Sequence, residues 1–287
     1  MAVFVTTRFG IGLTDSVNLA HRLKLFEVTV LPSLINQTYQ DFHWLILIDA
    51  RLDGDILQSL KRLIVPFPHF HLVRVDVLNS ACQSIGSYAW IWASAMHYII
   101  ACKLCDDPRD YVLTANIDDD DAWHRDALKI TAKVTRTQID PHLLSHNLYS
   151  HGKNHSVGAS QGFILSYPNG YEWYIHENIA QKISYPSHSM GNFIYSRLSS
   201  CMSPLSYDHA FFLDVSANRF QFEQQDHIGP MWVYTRHALN ITRIIRDDIS
   251  DGSWQRPNIL DHKTNATLQN TFGIDMQKAL EYQKLHR

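Results

Sequence analysis

Two kinds of apolar run alternate along the first 140 positions of the chain. "AVFVTTRF" (2–9) is rich in β-formers and closes on a glycine-containing turn, "FGIG". "NLAHRLKLFEVTVLPSLINQ" (18–37) spaces its apolar residues three to four apart, which predicts a helix, and Pro32 should kink it or start a new turn. "FHWLILID" (42–49) is a short, continuous apolar run, the mark of a strand buried on both faces of a parallel sheet. "GDILQSLKRLIV" reads as the next helix, "FHLVRVDV" as the next strand, "YAWIWASAMHYIIACKL" as a long helix and "DYVLTANI" as a fourth strand. A further helix is expected over "AWHRDALKITAKV".

Strands alternating with helices predict βαβ units in an α/β fold with a mainly parallel sheet, whose ligands bind at the carboxyl ends of the strands. Three polar groups fall at such ends: Arg8, Asp49 and the run Asp118–Asp119–Asp120–Asp121. After about residue 140 the pattern changes. "HNLYSHGKNHSVGASQGFILSYPNGYEWYIH" is rich in Gly, Ser, Asn and aromatic residues with short β-like pieces, which suits acceptor-binding loops and a small mixed sheet. "DMQKALEYQKLHR" should be a terminal helix. No internal repeat or long linker divides the chain.

Composition narrows the function. With 287 residues the chain is long enough for one large domain, and a net charge of −3 gives no general attraction to nucleic acid or acidic lipid. No apolar run approaches the roughly 20 residues that span a bilayer. The start, "MAVFVTTRFG", does not read as a signal peptide, and with only four cysteines a cytoplasmic location is expected, with at most peripheral contact at the inner face of the membrane. Cys102 and Cys105 form a lone CxxC without a second pair, so they are expected to be core or near-surface thiols. The 17 histidines include a group, His142, His146, His151 and His155, that keeps a zinc-type hydrolase open as an alternative. A non-catalytic glycan-binding domain is the other.

The four aspartates carry the most chemistry. Consecutive anions repel one another unless something cationic offsets them. There is no GxGxxG and no GxxxxGK[ST], so a nucleotide would not be held by a glycine-rich loop. A carboxylate-rich turn between a strand and a helix can instead hold a diphosphate through Mn²⁺ or Mg²⁺.

Four phrases in order resemble a known family. "LPSLINQTYQDFHWLILIDARLD" is similar to the "SLxxQTyxdFeW" segment of GT-A glycosyltransferases, and "NIDDDDAWHRDAL" to their "LDxDDxW" form of the DxD motif. "TTRF" near the start and "PMWVYTRHALNIT" near residue 237 resemble phrases of bacterial rhamnosyltransferases. The resemblance covers roughly residues 1 to 246. It implies a GT-A α/β/α sandwich over 1–246, with a nucleotide-binding half (1–125) and an acceptor-binding half (126–246), and a helical extension over 247–287. It implies a metal-dependent transferase in polysaccharide biosynthesis, moving a sugar such as rhamnose from a UDP- or dTDP-linked donor to a glycan or lipid-linked acceptor.

Residue by residue, the resemblance gives Asp118 and Asp120 the two DxD positions, both in the metal site, with Asp118 also reaching the donor. It gives Thr6 and Arg8 a part in holding the nucleotide and Asp49 a part in reading the base. His237 falls where a downstream histidine completes the metal site in many such enzymes; a buried structural histidine is the competing reading. The chain departs from the pattern in three places. "SIGSYAWIW" lacks an Arg–Asn pair, and Trp90 and Trp92 are expected to pack in the core. The "HG" of the last phrase is His237–Ala238. No "ED" phrase marks a general base; Asp208 in "SYDHAFF" is the candidate, with Glu223 and Asp226 as rivals.

Overall fold

The computed structural model describes residues 1–52, 54–76, 86–107, 109–139, 148–149, 158–159, 162–175, 179–184, 189–200, 203–204, 220–237 and 262–285. Asp208 and the histidine group at 142–155 lie outside them.

The βαβ reading of the first half holds. Strands β1 (Ala2–Phe9), β2 (His43–Asp49), β3 (Phe70–Val75) and β4 (Tyr111–Asn116) form a parallel sheet in the order β3-β2-β1-β4. Helices α1 (Ser16–Val28), α2 (Val30–Ile35), α3 (Gly54–Ile64) and α4 (Gly86–Ala101) intervene. The alternation of each strand sorts its side chains between two cores. Trp44, Ile46 and Ile48 of β2 enter one core with Leu23 and Phe26 of α1 and Leu57 and Leu60 of α3. Leu45 and Leu47 enter the other with Ile91, Trp92, Ala95 and Ile99 of α4.

The expected helix over 18–37 is two helices. Thr29 ends the first, and its hydroxyl donates to the Leu25 carbonyl. Pro32 therefore sits in the first turn of α2, where its missing N–H leaves no helical bond unmade. The helix expected from residue 122 begins later: Ala122–Trp123 is the short strand β5, and α5 runs Ala127–Gln138.

The second half differs more. A four-stranded mixed sheet is present, as anticipated: β9 (Asn169–Tyr174), β10 (Ile179–Ser184) and β13 (Trp232–Arg236) join β5 in the order β10-β9-β13-β5. β6 (Leu148–Tyr149) and β7 (Gly158–Ala159) form a two-stranded ribbon. But β8 (Gly162–Ser166), β11 (Asn192–Arg197) and β12 (Phe220–Gln224) extend the main sheet to seven strands, β11 lying antiparallel to β4. Helices α6 (His262–Phe272) and α7 (Met276–Leu285) close the structure. Leu268, Phe272, Ile274, Ala279 and Tyr282 bury against Leu25 and Val28 of α1 and Trp173 and Val233 of the small sheet.

Two tryptophans expected in the core part company. Trp92 is buried, whereas Trp90 is 55% exposed and its indole N–H reaches the Asp76 carbonyl at 3.3 Å. An α-helix buries one stripe, and α4 presents Ile91, Trp92, Ala95 and Ile99 to the sheet, which turns Trp90 outward.

Histidines crowd the amino end of β2 and β3, at the opposite end of the sheet from the aspartates. His43 Nδ1 lies 3.1 Å from His71 Nε2, and the Tyr98 hydroxyl of α4 lies 3.3 Å from His71 Nδ1. Burial pushes the His71 imidazole down to about 4, with His43 and His69 adding to the shift. The unfolded chain therefore takes up this proton first, at an ordinary value of 6.5. The contribution of His71 to stability is complete above pH 6.5 and is lost as pH falls toward 4. Melting temperatures measured across that window should fall less on acidification for His71→Gln than for the wild type. Equal slopes would refute the assignment; comparing the two proteins cancels the contributions of the carboxyl groups.

Candidate functional site

β4 delivers the acidic run to the carboxyl edge of the sheet. The Ile117 N–H bonds the Thr6 carbonyl of β1, and the chain then turns, with the Asp121 N–H on the Asp118 carbonyl. Contrary to what an acidic loop suggests, three of the four aspartates are buried: Asp119, Asp120 and Asp121 expose 1%, 4% and 0%. Burying charges without compensation is costly, so their partners define the site.

Each aspartate has a different neighbour. Asp118, the most open, takes the Arg8 guanidinium at 3.4 Å and the Asn116 amide at 3.4 Å. Asp120 Oδ2 lies 2.7 Å from His237 Nε2 and 2.8 Å from Arg22 Nη1. Asp119 Oδ1 lies 2.7 Å from Arg22 Nη2, yet neither of its oxygens accepts a well-aligned hydrogen bond from any described residue. Asp121 serves the fold: its Oδ1 accepts the Thr235 N–H of β13 at 2.8 Å, pinning the small sheet to the end of β4.

These surroundings split the acidities. Burial pushes Asp119 up to about 7, with Arg22 opposing, and pushes Asp121 well up with help from Asp120 and Asp118. Burial also raises Asp120, but the Arg22 guanidinium and the His237 hydrogen bond outweigh it and hold this carboxyl below the ordinary range. Arg22 is desolvated too; all four aspartates act against that loss and keep it firmly cationic.

His237 directly follows β13 and is buried, as the ligand and structural readings both require. Its Nδ1 lies 3.4 Å from Nε2 of His21, a residue of α1, and the Tyr282 hydroxyl of α7 contacts the His21 ring. A chain of polar contacts thus runs from α7 through α1 to Asp120.

The remaining expected residues lie on the same edge with different engagements. The Thr6 hydroxyl is fully buried and donates to the Ala115 carbonyl at 3.0 Å, inside the sheet. Arg8, near the carboxyl end of β1, has a side chain 28% exposed and holds Asp118 at 3.4 Å. Asp49 is gripped by Arg51 at 2.8 and 3.0 Å and by the Gly12 N–H at 3.3 Å; the Arg51 hydrogen bonds hold its carboxyl below the ordinary range. Asp226 is an exposed surface acid bonded to Gln224.

The donor chemistry suits a hard or borderline cation: carboxylates, one imidazole, and buried oxygens on Asp119 and Asp121 that have no hydrogen-bond donor among the described residues. Among the described residues, however, no three His, Cys, Asp or Glu side chains converge as a ready metal site. Arg22 stands in their midst. The sequence alone does not mark it, because in "LAHRLKL" an arginine fits a solvated helix position. The signal available is its place beside His21, the one polar residue that this helix buries among Leu19, Leu23, Leu25, Phe26 and Val28.

Among the described residues, no helix is long and apolar enough to cross a membrane. No curated protein sequence matches the chain. Among solved structures, residues 1–349 of TarS from S. aureus align at 13% identity and a TM-score of 0.43, covering 82% of this chain and 60% of that one. The chain thus spans about three-fifths of that structure. Mouse xyloside xylosyltransferase 1 aligns at 10% identity and a TM-score of 0.38, covering 79% and 85%. The family model described as "Putative rhamnosyl transferase" matches residues 12–247, a span that takes in the Arg22 helix, the aspartates and His237. The chain belongs to that family of glycosyltransferases.

Proposed function

We propose that the protein is a GT-A, metal-dependent transferase that moves a sugar from a UDP- or dTDP-linked donor to a glycan or lipid-linked acceptor. One observation carries this reading: an imidazole meets the acidic turn from 117 residues away, His237 Nε2 standing 2.7 Å from Asp120 Oδ2. Rhamnose is the sugar that the family description suggests.

In this reading Asp118, Asp120 and His237 would hold Mn²⁺ or Mg²⁺. When bound, the cation neutralises charge on the departing nucleoside diphosphate. Arg8, part-exposed, pairs with a phosphate, with Thr6 fixing the end of its strand. Asp49 orders the Gly12 turn and Arg51 on the base side. Asp208 takes the acceptor's proton, an assignment from sequence alone.

A thermal-shift screen of UDP, dTDP and GDP with and without Mn²⁺, followed by a donor-hydrolysis assay, tests the proposal. One nucleotide should raise the melting temperature with Mn²⁺ and less without it. No shift and no hydrolysis under any condition would leave a glycan-binding domain. With the preferred nucleotide known, Arg8→Ala should weaken its binding by about 1.5–3 kcal/mol, the worth of a charge-assisted hydrogen bond. Unchanged affinity by calorimetry would return Arg8 to a purely structural role.

A further inference from the structure

Arg22 lies against two of the atoms proposed to hold the cation. Its Nη1 lies 2.8 Å from Asp120 Oδ2 and 3.5 Å from His237 Nε2, two of the candidate ligand atoms, while Nη2 reaches Asp119 at 2.7 Å. One guanidinium thus spans two carboxylates and abuts the imidazole. A metal ion bound to Asp120 Oδ2 and His237 Nε2 at about 2.1 Å would sit within roughly 5 Å of Nη1, and two cations so close repel strongly. Arginine stays protonated, so it cannot yield by losing its charge. It has to move.

Three features make that movement feasible. The Asp119 contact is a charge contact without a well-aligned hydrogen bond. The buried Arg22 Nε has no hydrogen-bond partner among the described residues, so the fork is not held on all sides. The side chain is still 17% exposed, so a solvent route is open.

We propose that Arg22 is the resident counter-ion of the aspartate cluster: it competes with the divalent cation for Asp120 and, once displaced, binds the diphosphate of the donor. This rests on the metal-dependent reading above. The role follows from charge. Before the cation binds, Arg22 keeps buried Asp119 and Asp120 compensated. A nucleoside diphosphate brings the anion that an expelled guanidinium needs, and guanidinium matches phosphate oxygens in a planar fork. Cation and diphosphate should therefore bind more tightly together than separately.

The test uses two binding measurements on the full chain, with opposite expected signs. Mn²⁺ alone, titrated by calorimetry, should bind Arg22→Gln at least tenfold more tightly than wild type. At saturating Mn²⁺, UDP or dTDP, whichever the wild type prefers, should bind Arg22→Gln at least tenfold more weakly. Wild-type binding of Mn²⁺ with no gain in Arg22→Gln would overturn the competition, and unchanged diphosphate affinity would overturn the transfer to phosphate. If neither protein binds Mn²⁺ at millimolar concentration, the metal reading itself fails, and this inference with it. Should Arg22→Gln not fold, Arg22→Lys carries the same comparisons. Its single ammonium cannot bridge two carboxylates, so both shifts should keep their sign at smaller size, and their absence would refute the proposal.

Discussion

Asp120→Ala is expected to abolish sugar transfer while leaving a folded protein. Asp120 Oδ2 is the atom at which the two other principal groups of the cluster meet, His237 Nε2 at 2.7 Å and Arg22 Nη1 at 2.8 Å. Losing the carboxylate removes a metal ligand in the proposed reading and takes away the group that His237 Nε2 faces. Charge stabilisation of a departing phosphate is worth several kcal/mol, which is about a thousandfold or more in rate. The fold should survive for an electrostatic reason. Four adjacent carboxyl groups repel one another, and removing one relieves that repulsion while Arg22 keeps Asp119. Asp120→Asn separates shape from charge and should be nearly as inactive. Turnover should be measured beside circular dichroism and a melting curve. Wild-type turnover in a folded Asp120→Ala protein would remove Asp120 from the reaction.

Trp232→Ala should produce the largest loss of stability of any substitution considered. The Trp232 side chain is fully buried, and its indole N–H donates to the Tyr167 carbonyl at 2.8 Å. It packs flat over Gly170, where an added Cβ would come within 2.3 Å of the ring, and its edge lies against Gly191. Those glycines leave a slot that the indole fills, joining the small sheet to the segments flanking β8 and β11. Emptying such a site costs about 3–5 kcal/mol, and the orphaned Tyr167 carbonyl adds to it. Native proteins have only about 5–15 kcal/mol in hand, so this is a large share of the total. Urea unfolding should show a much lower midpoint; a loss under about 1.5 kcal/mol would mean that the slot collapses around the smaller side chain. Because β13 continues into Thr235 and His237, the same substitution should weaken nucleotide binding.

How legible this was depended on the range of the interactions. β2 is readable because a strand buried on both faces is continuously apolar, as "WLILI" is, and β1 because "AVFVTT" is rich in β-formers. The site edge followed from the strand ends. The allegiance of β8, β11 and β12 was not readable, because a short strand with mixed faces suits either sheet, and partner choice is decided by distant residues. Asp121 looked like one more acid; only the position of the Thr235 amide makes it a latch. Arg22 was hidden for a related reason: exposed and buried arginines look alike on a helix until the opposing surface is known. Trp90 shows the reverse error, an aromatic residue expected in the core that lies outside the buried stripe of its helix.

The contact between Tyr282 and His21 joins positions 261 apart, and that between His237 and Asp120 spans 117. Closures of that length come late in folding, because the entropy of a long loop must be overcome before the contact stabilises anything. Arg22 and Arg8 reach the acidic run across 98 and 110 residues from within the first half of the chain, whereas the imidazole and the terminal helix come to it from the second half. Activity is therefore expected to be the last property recovered on refolding. Refolding followed by tryptophan fluorescence should run ahead of the recovery of activity, with the interval between the two set by the docking of α7.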